Sequence, residues 1–205
     1  MNASWNVEGE DTAARPREWI TRAGFEGWVL HEEAADALTS AVAWNGGSDE
    51  ATIQRWLDYY AREGIERVAI GVLVLRARAG EGWTRSRVLT HGPRAAGPAL
   101  ERLFTGADTA ANVLATLRLL PAPDLEIEQA IRRGSKGWEL ARALLRTTGG
   151  LPFETSVDDT VLDFVRGLDG RPLSSFLATV APATRPEVLA VARGRLELGF
   201  LVPAE

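Results

Sequence analysis

A chain of 205 residues with 45% apolar content can bury a sizeable core, as one large domain or two small ones. Its net charge of −5 and pI near 5.2 argue against broad nucleic-acid binding, which draws its affinity from cations placed against phosphates. Cysteine is absent, which excludes disulfides, thiolate zinc sites, iron–sulfur clusters and cysteine nucleophiles. The start MNASWNVEGEDTAARP lacks the cationic and apolar pattern of a signal peptide, so a cytoplasmic protein is expected.

In chain order, Ser4 to Val7 reads as a short strand, followed by a polar loop and a helix around Arg17 to Ala23. FEGWVLHE, Phe25 to Glu32, is the next strand, and Glu33 to Trp44 has helical spacing through Ala34, Leu38, Ala41 and Val42. The loop NGGSDE breaks the chain, and Asp49 or Ser48 is placed to cap a helix. That helix carries Ile53, Trp56, Leu57 and Tyr60 on one face and stops at Gly64. The period then changes. Ile65 to Arg78 contains VAIGVLVL, an almost continuously apolar run too short to span a membrane, which predicts a strand covered on both faces of a larger sheet. GEGW predicts a hairpin returning into RSRVLTHGP. Gly97 to Phe104 and Thr109 to Leu119 read as helices, and the two prolines of LPAPDLEIE mark a domain boundary.

Beyond that boundary, Trp138 to Thr147 is read as a strand because GGLPFE follows it. Three helices are predicted over Val157 to Leu168, Pro172 to Val180 and Pro186 to Leu198, the last with proline in its first turn. FLVPA closes the chain as a strand. Three helices followed by a strand are the order of a winged helix-turn-helix.

The segments EGWVLHEEAADALTSAVAWN, RWLDYYAREGIERVAIGVLVLRARAGEGW, GLPFETSVDDTVLDFVRGLDGRPL and RGRLELGFLVP, in that order, resemble the C-terminal portion of a bacterial class I S-adenosylmethionine-dependent methyltransferase family. The resemblance implies that SWNV, GWVLHE and IGVLVLRAR are similar to the last strands of a Rossmann-like sheet, the final pair forming its antiparallel edge. A winged-helix-like accessory region would follow. The fold class expected is therefore α+β, with residues 1–120 the methyltransferase-like part and 121–205 the accessory domain.

Two features of such enzymes are missing. They hold the cofactor on a glycine-rich loop after their first strand, where backbone approaches ligand closely. Here the glycines of Gly46 to Ser48 follow a helix, those of Gly80 to Gly82 lie in a turn, and Gly149-Gly150 belongs to the second part. The Asn-Pro-Pro-aromatic motif of the amino-methylating members is absent too. No cofactor is expected on this chain alone, although the resemblance implies S-adenosylmethionine for the intact family.

No catalytic residue is assigned. His31 with Glu32 and Glu33 reads as an exposed strand end, because adjacent strand residues face opposite ways and no second histidine is near in sequence, so no metal site is expected. Trp5, Asn6, His31 and Glu32 lie where strands of an open α/β sheet end, the edge at which ligands bind, and are the candidate pocket-lining residues. His91 is read as a turn residue, while Thr155-Ser156 and Ser174-Ser175 are read as helix starts. Of the seven tryptophans, Trp19, Trp28, Trp44 and Trp56 are expected in the core, and Trp83 is the one with basic neighbours. The second helix of the expected winged helix, PLSSFLATV, carries no base-reading side chain, so DNA is not an expected partner; with VAIGVLVL too short to span a bilayer, neither is a membrane.

The chain thus reads as a C-terminal fragment or subunit of a methyltransferase, inactive without a cofactor-binding half. It is expected either to pair with that half or to self-associate. The alternative is a stand-alone regulatory module whose winged helix binds protein or peptide.

Overall fold

The computed structural model describes residues 2–46, 49–78, 82–92, 95–109, 113–135 and 137–204. The fold is mixed α+β and divides into two compact units, Met1–Gly92 and Pro93–Glu205.

The first unit is built on a mixed sheet whose strands are β1 (Asn2–Asn6), β2 (Phe25–His31), β3 (Ala35–Asp36), β4 (Arg67–Ala77) and β5 (Thr84–Val88), in the spatial order β1-β4-β2-β5. The long apolar strand β4 is central. It runs antiparallel to β1 on one side and to β2 and then β3 on the other, and β5 lies parallel to β2 at the far edge. The hairpin expected between the VAIGVLVL strand and RSRV does not form: β2 occupies one edge of β4 over Gly71–Ala77, and β5 pairs parallel with the outer edge of β2.

Among the described residues three helices accompany this sheet: α1 (Ala14–Arg22), α2 (Ala37–Trp44) and α3 (Glu50–Arg62). Helix α3 forms where the spacing predicts, with Asp49 accepting the backbone N–H of Ala51 and Gly64 taking a left-handed φ of 65° just past its end. Ser48 lies outside the described residues. Successive residues of β4 face opposite ways, so the sheet has two cores. On one face Ala69 and Leu73 pack with Trp5, Ala13, Ile20 and Val29, which seats α1. On the other, Val68 packs with Ala41 and Tyr60, and Ile53, Leu57 and Ile65 close in around them from α3 and its exit.

Neither core covers β4 along its length. Ile70 and Leu75 are 41% and 40% exposed, so the expectation of a strand covered on both faces is not met within this unit. Ile70 and Leu75 lie on opposite faces of the strand and stay partly in water, whereas Leu73 between them is buried against α1.

The second unit comprises α4 (Gly97–Asp108), a 3-10 turn at Leu114–Thr116, β6 (Leu119–Pro121), β7 (Leu125–Gly134), β8 (Gly137–Thr147), β9 (Glu154–Val157), α5 (Asp159–Arg166), α6 (Leu173–Thr179), α7 (Arg185–Glu197) and β10 (Leu201–Pro203). The predicted helix over Thr109 to Leu119 is replaced by the 3-10 turn and β6; residues 110–112 of it lie outside the described residues. The division expected between residues 120 and 121 also moves, to Gly92/Pro93. The cause is α4, which belongs with α7: a Cβ added at Gly106 would sit 2.2 Å from the carbonyl oxygen of Leu196, so the two backbones meet where glycine leaves room. The proline-bearing LPAPDLEIE is not a linker but the ends of two strands, and Arg102 of α4 donates to both carboxylate oxygens of Asp124 at 2.8 Å.

Strands β7, β8 and β9 form an antiparallel meander, and β10 pairs with β6. The predicted strand over Trp138 to Thr147 is β8. The three predicted helices are present, each shifted by no more than two residues at a terminus; the first predicted residue of α5, Val157, instead ends β9. Asp158 then caps α5 by accepting the N–H of Val161 at 2.9 Å. The closing strand β10 finds its partner upstream of the meander.

Candidate functional site

The most distinctive surface of the first unit lies along β1. Val7 donates its backbone N–H to Arg67, so by the alternation of an antiparallel ladder Ala3 and Trp5 direct their backbone groups at β4. The N–H and C=O groups of Asn2, Ser4 and Asn6 then point the opposite way. Among the described residues no strand pairs with that outer edge.

Beside the edge is a cleft of about 570 Å³. Its floor includes Ser4, Asn6 and Val68, and its walls carry Trp19 from α1, Trp44 from α2 and Trp56, Tyr59 and Tyr60 from α3. The last three recur at i, i+3 and i+4, one above another on a single helical face. Trp56 and Tyr59 meet edge to face with ring centroids 6.0 Å apart, and Trp56 and Tyr60 lie 5.6 Å apart. A second hollow of about 460 Å³ continues past Trp56 and Tyr59 to Thr52 and Arg55. Burial pushes the Tyr60 hydroxyl above its ordinary range, and Tyr59 beside it adds to the shift.

Trp19, Trp44 and Trp56 were expected in the core, yet all three are exposed, Trp44 by 55%. They stand at the margin of their helices' apolar stripes, and the sheet that those stripes cover stops at β1. Trp28 is buried as expected.

Of the candidate pocket residues, Trp5 and Asn6 line the cleft. Trp5 is only 4% exposed; its indole N–H donates to the carbonyl of Thr12 at 2.7 Å, and its ring packs in the core. Asn6 accepts from Arg15 and donates to Glu8. His31 is buried, not an exposed strand end. Its Nδ1 lies 2.8 Å from the carbonyl oxygen of Glu32, and its ring meets that of Trp5 edge to face. Glu32 faces solvent. The structure therefore brings Trp5 together with His31, and separately with Asn6, and does not gather all four around one cavity. Among the described residues, no three histidine, aspartate or glutamate side chains converge in a way that could hold a metal ion.

Other expectations resolve individually. His91 is an exposed turn residue, Ser174-Ser175 open α6, and Thr155-Ser156 lie in β9, the α5 cap being Asp158. Trp83 packs edge to face on Trp28, with the Arg85 guanidinium 5.4 Å from its ring centroid. The tryptophan that the sequence reading passed over is Trp138. It is 72% exposed near the end of the β7–β8 hairpin, where the run RRGSKGW signals it by setting cations beside an aromatic.

Residues 103–202 match the family model of a domain of unknown function, DUF7782, which falls within the second unit. No curated protein matches the chain. No described helix is long and apolar enough to cross a membrane.

Proposed function

We propose that the first unit is the closing part of a class I S-adenosylmethionine-dependent methyltransferase sheet, and that the chain serves as the C-terminal portion or subunit of such an enzyme. The observation that carries this reading is the place of β4. It runs antiparallel between β1 and β2, which are parallel to each other, and this is how an antiparallel strand enters an otherwise parallel α/β sheet. The resemblance implies the same antiparallel pairing for IGVLVLRAR. The free outer edge of β1 and the aromatic cleft beside it are the seam along which the rest of the sheet would dock.

This chain's own residues do not fit the cofactor. The strand-to-helix loop between β1 and α1 has a single glycine, Gly9, with Glu8, Glu10 and Asp11 around it, and the loop after β2 has none. Such loops offer no close backbone approach for the methionyl carboxylate and surround it with like charge. S-adenosylmethionine and the catalytic motif would come from the cofactor-binding half, with this chain completing the sheet.

Calorimetry and copurification test the reading. The chain alone should give no saturable heat with S-adenosylmethionine. Coexpressed with a polypeptide from the same or the adjacent reading frame that bears a glycine-rich loop and an Asn-Pro-Pro-aromatic motif, it should copurify and the complex should bind cofactor at micromolar affinity. Ser4→Pro, which removes an outward N–H without touching the β1–β4 ladder, should block copurification. Micromolar binding by the chain alone, or copurification indifferent to Ser4→Pro, overturns the proposal.

A further inference from the structure

The distal half of the β7–β8 hairpin is a bare two-stranded arm. Strand β9 pairs with β8 only over Ala143 to Arg146, and beyond that point the hairpin continues to Gly134 and Gly137 with almost every residue exposed. Residues directly opposite in a ladder share a face, so Ile131 with Leu140 and Arg133 with Trp138 form one side of the arm. Trp138 and Ile131 are 72% and 64% exposed there. The other side carries Arg132, whose Nε donates to Glu139 at 2.9 Å.

Charge is segregated along the hairpin. At its base Glu126 and Glu128 are matched by Arg142 and Arg146 through ion pairs of 3.2 to 3.6 Å. Toward its end the sequence run RRGSKGWE holds three cations and one acid, a cationic excess in a chain whose net charge is −5. Arg133 has no ion-pair partner among the described residues, and Trp138 is its cross-strand partner in the ladder.

We infer that this arm binds unpaired stretches of RNA, with Trp138 stacking a base and Arg133 holding the adjoining phosphate. With Arg132 matched by Glu139, the unpaired Arg133 guanidinium and the cationic run around it favour an anionic occupant. A flat ring open to solvent beside an uncommitted guanidinium is the pairing that receives splayed bases, and Ile131 and Leu140 extend the apolar platform. Too few cations are present for duplex binding, which rests on many phosphate contacts. A bilayer fits less well: the described residues at the end of the ribbon, Gly134, Ser135 and Gly137, carry no apolar side chain to insert, and insertion would carry the Arg132–Glu139 pair into hydrocarbon. RNA is favoured over DNA because loops and bulges keep its bases unpaired. None of this depends on the methyltransferase reading.

Fluorescence anisotropy of a labelled uridine dodecamer with the full chain is the test, with Trp138→Ala and Arg133→Gln as variants and circular dichroism to confirm their fold. Binding should be micromolar, and Trp138→Ala should weaken it about tenfold or more. Arg133→Gln should make the salt dependence shallower by about 0.7 in the slope of log K against log salt, the share of one phosphate contact. The inference is overturned by absence of binding at tens of micromolar protein, by variants that bind like the parent, or by a DNA dodecamer that binds more tightly. Trp138-dependent capture by polyglutamate or phosphatidylserine vesicles where RNA fails also overturns it, assigning the arm to an acidic protein or a membrane.

Discussion

Trp5 and His31 meet edge to face over Gly71, their ring centroids 6.1 Å apart and their planes at 79°. Both side chains stand on the same face of the sheet as Gly71, from the strands on either side of it. A Cβ at position 71 would lie 2.4 Å from the Leu30 carbonyl oxygen and 2.9 Å from both Cη2 of Trp5 and Cβ of His31. Gly71→Ala therefore has nowhere to place its methyl group without moving backbone. The expected cost is about 3 kcal/mol, read as a lower urea midpoint at unchanged m-value. A midpoint equal to the parent's would show that the two rings do not close over this position.

Glu26 is fully buried and receives Arg78 Nη1 at 2.9 Å and Arg76 Nε at 2.5 Å. A buried carboxylate is tolerated only when paired, and here both partners come from β4 and its exit, so the cluster ties β2 to the far end of the central strand. Glu26→Ala should destabilise the chain by about 2–3 kcal/mol, below the upper range for a broken buried pair because Arg76 and Arg78 are partly exposed and rehydrate. Glu26→Gln, which keeps the shape, should cost less. Equal losses for the two variants in denaturant unfolding would assign the effect to packing alone.

The elements of this fold are more legible in the sequence than their partners. FEGWVLH, the VAIGVLVL strand, the Asp49-capped helix and α5 through α7 follow from local periodicity and caps. Which strand lies beside which does not: β5 pairs with the outer edge of β2 and not with β4, a fact of the whole sheet and invisible in GEGWTRSRV. The domain boundary was hidden for a similar reason. Pro121 and Pro123 look like a linker, whereas the contact that decides the division is Gly106 against Leu196, ninety positions apart in sequence. Candidate site residues chosen from strand ends gave Trp5 and Asn6 a place at the cleft, but Trp19, Trp44 and Trp56 satisfied a helical period that says nothing about whether a sheet extends beneath it.

Two helix caps give the first unit an acid-sensitive limb. Asp36 accepts the N–H of Thr39 at 2.7 Å, which chiefly holds its carboxyl below the usual carboxylate range. Asp49 is held low chiefly by the Thr52 hydroxyl. Because the folded value lies below the unfolded one, each carboxylate favours the folded state fully above the unfolded value of about 3.9, and that contribution disappears as pH falls through the folded value. Amide exchange in the first turns of α2 and α3 should therefore accelerate below about pH 4, relative to its intrinsic rate. Asp36→Asn and Asp49→Asn should flatten the dependence in their own helix only; a profile unchanged in both variants would remove the caps as its cause.

Self-association is the outcome expected of the chain without a partner. The outward backbone groups of Asn2, Ser4 and Asn6 are an open template for another strand, and the exposed rings of Trp44 and Trp56 flank it. Ile70, half in water on the same side of β4 as Val68, adds apolar area to that surface. Edge pairing with such cover is consistent with weak association, so the weight-average mass from sedimentation should rise across micromolar concentrations. Ser4→Pro and Trp56→Glu act on different parts of the surface, the backbone template and the aromatic wall, and each should return the chain to a monomer. A clean monomer of the parent at tens of micromolar would mean that the edge is adequately protected as it stands. The seam assigned to a cofactor-binding half would then lose its physical basis.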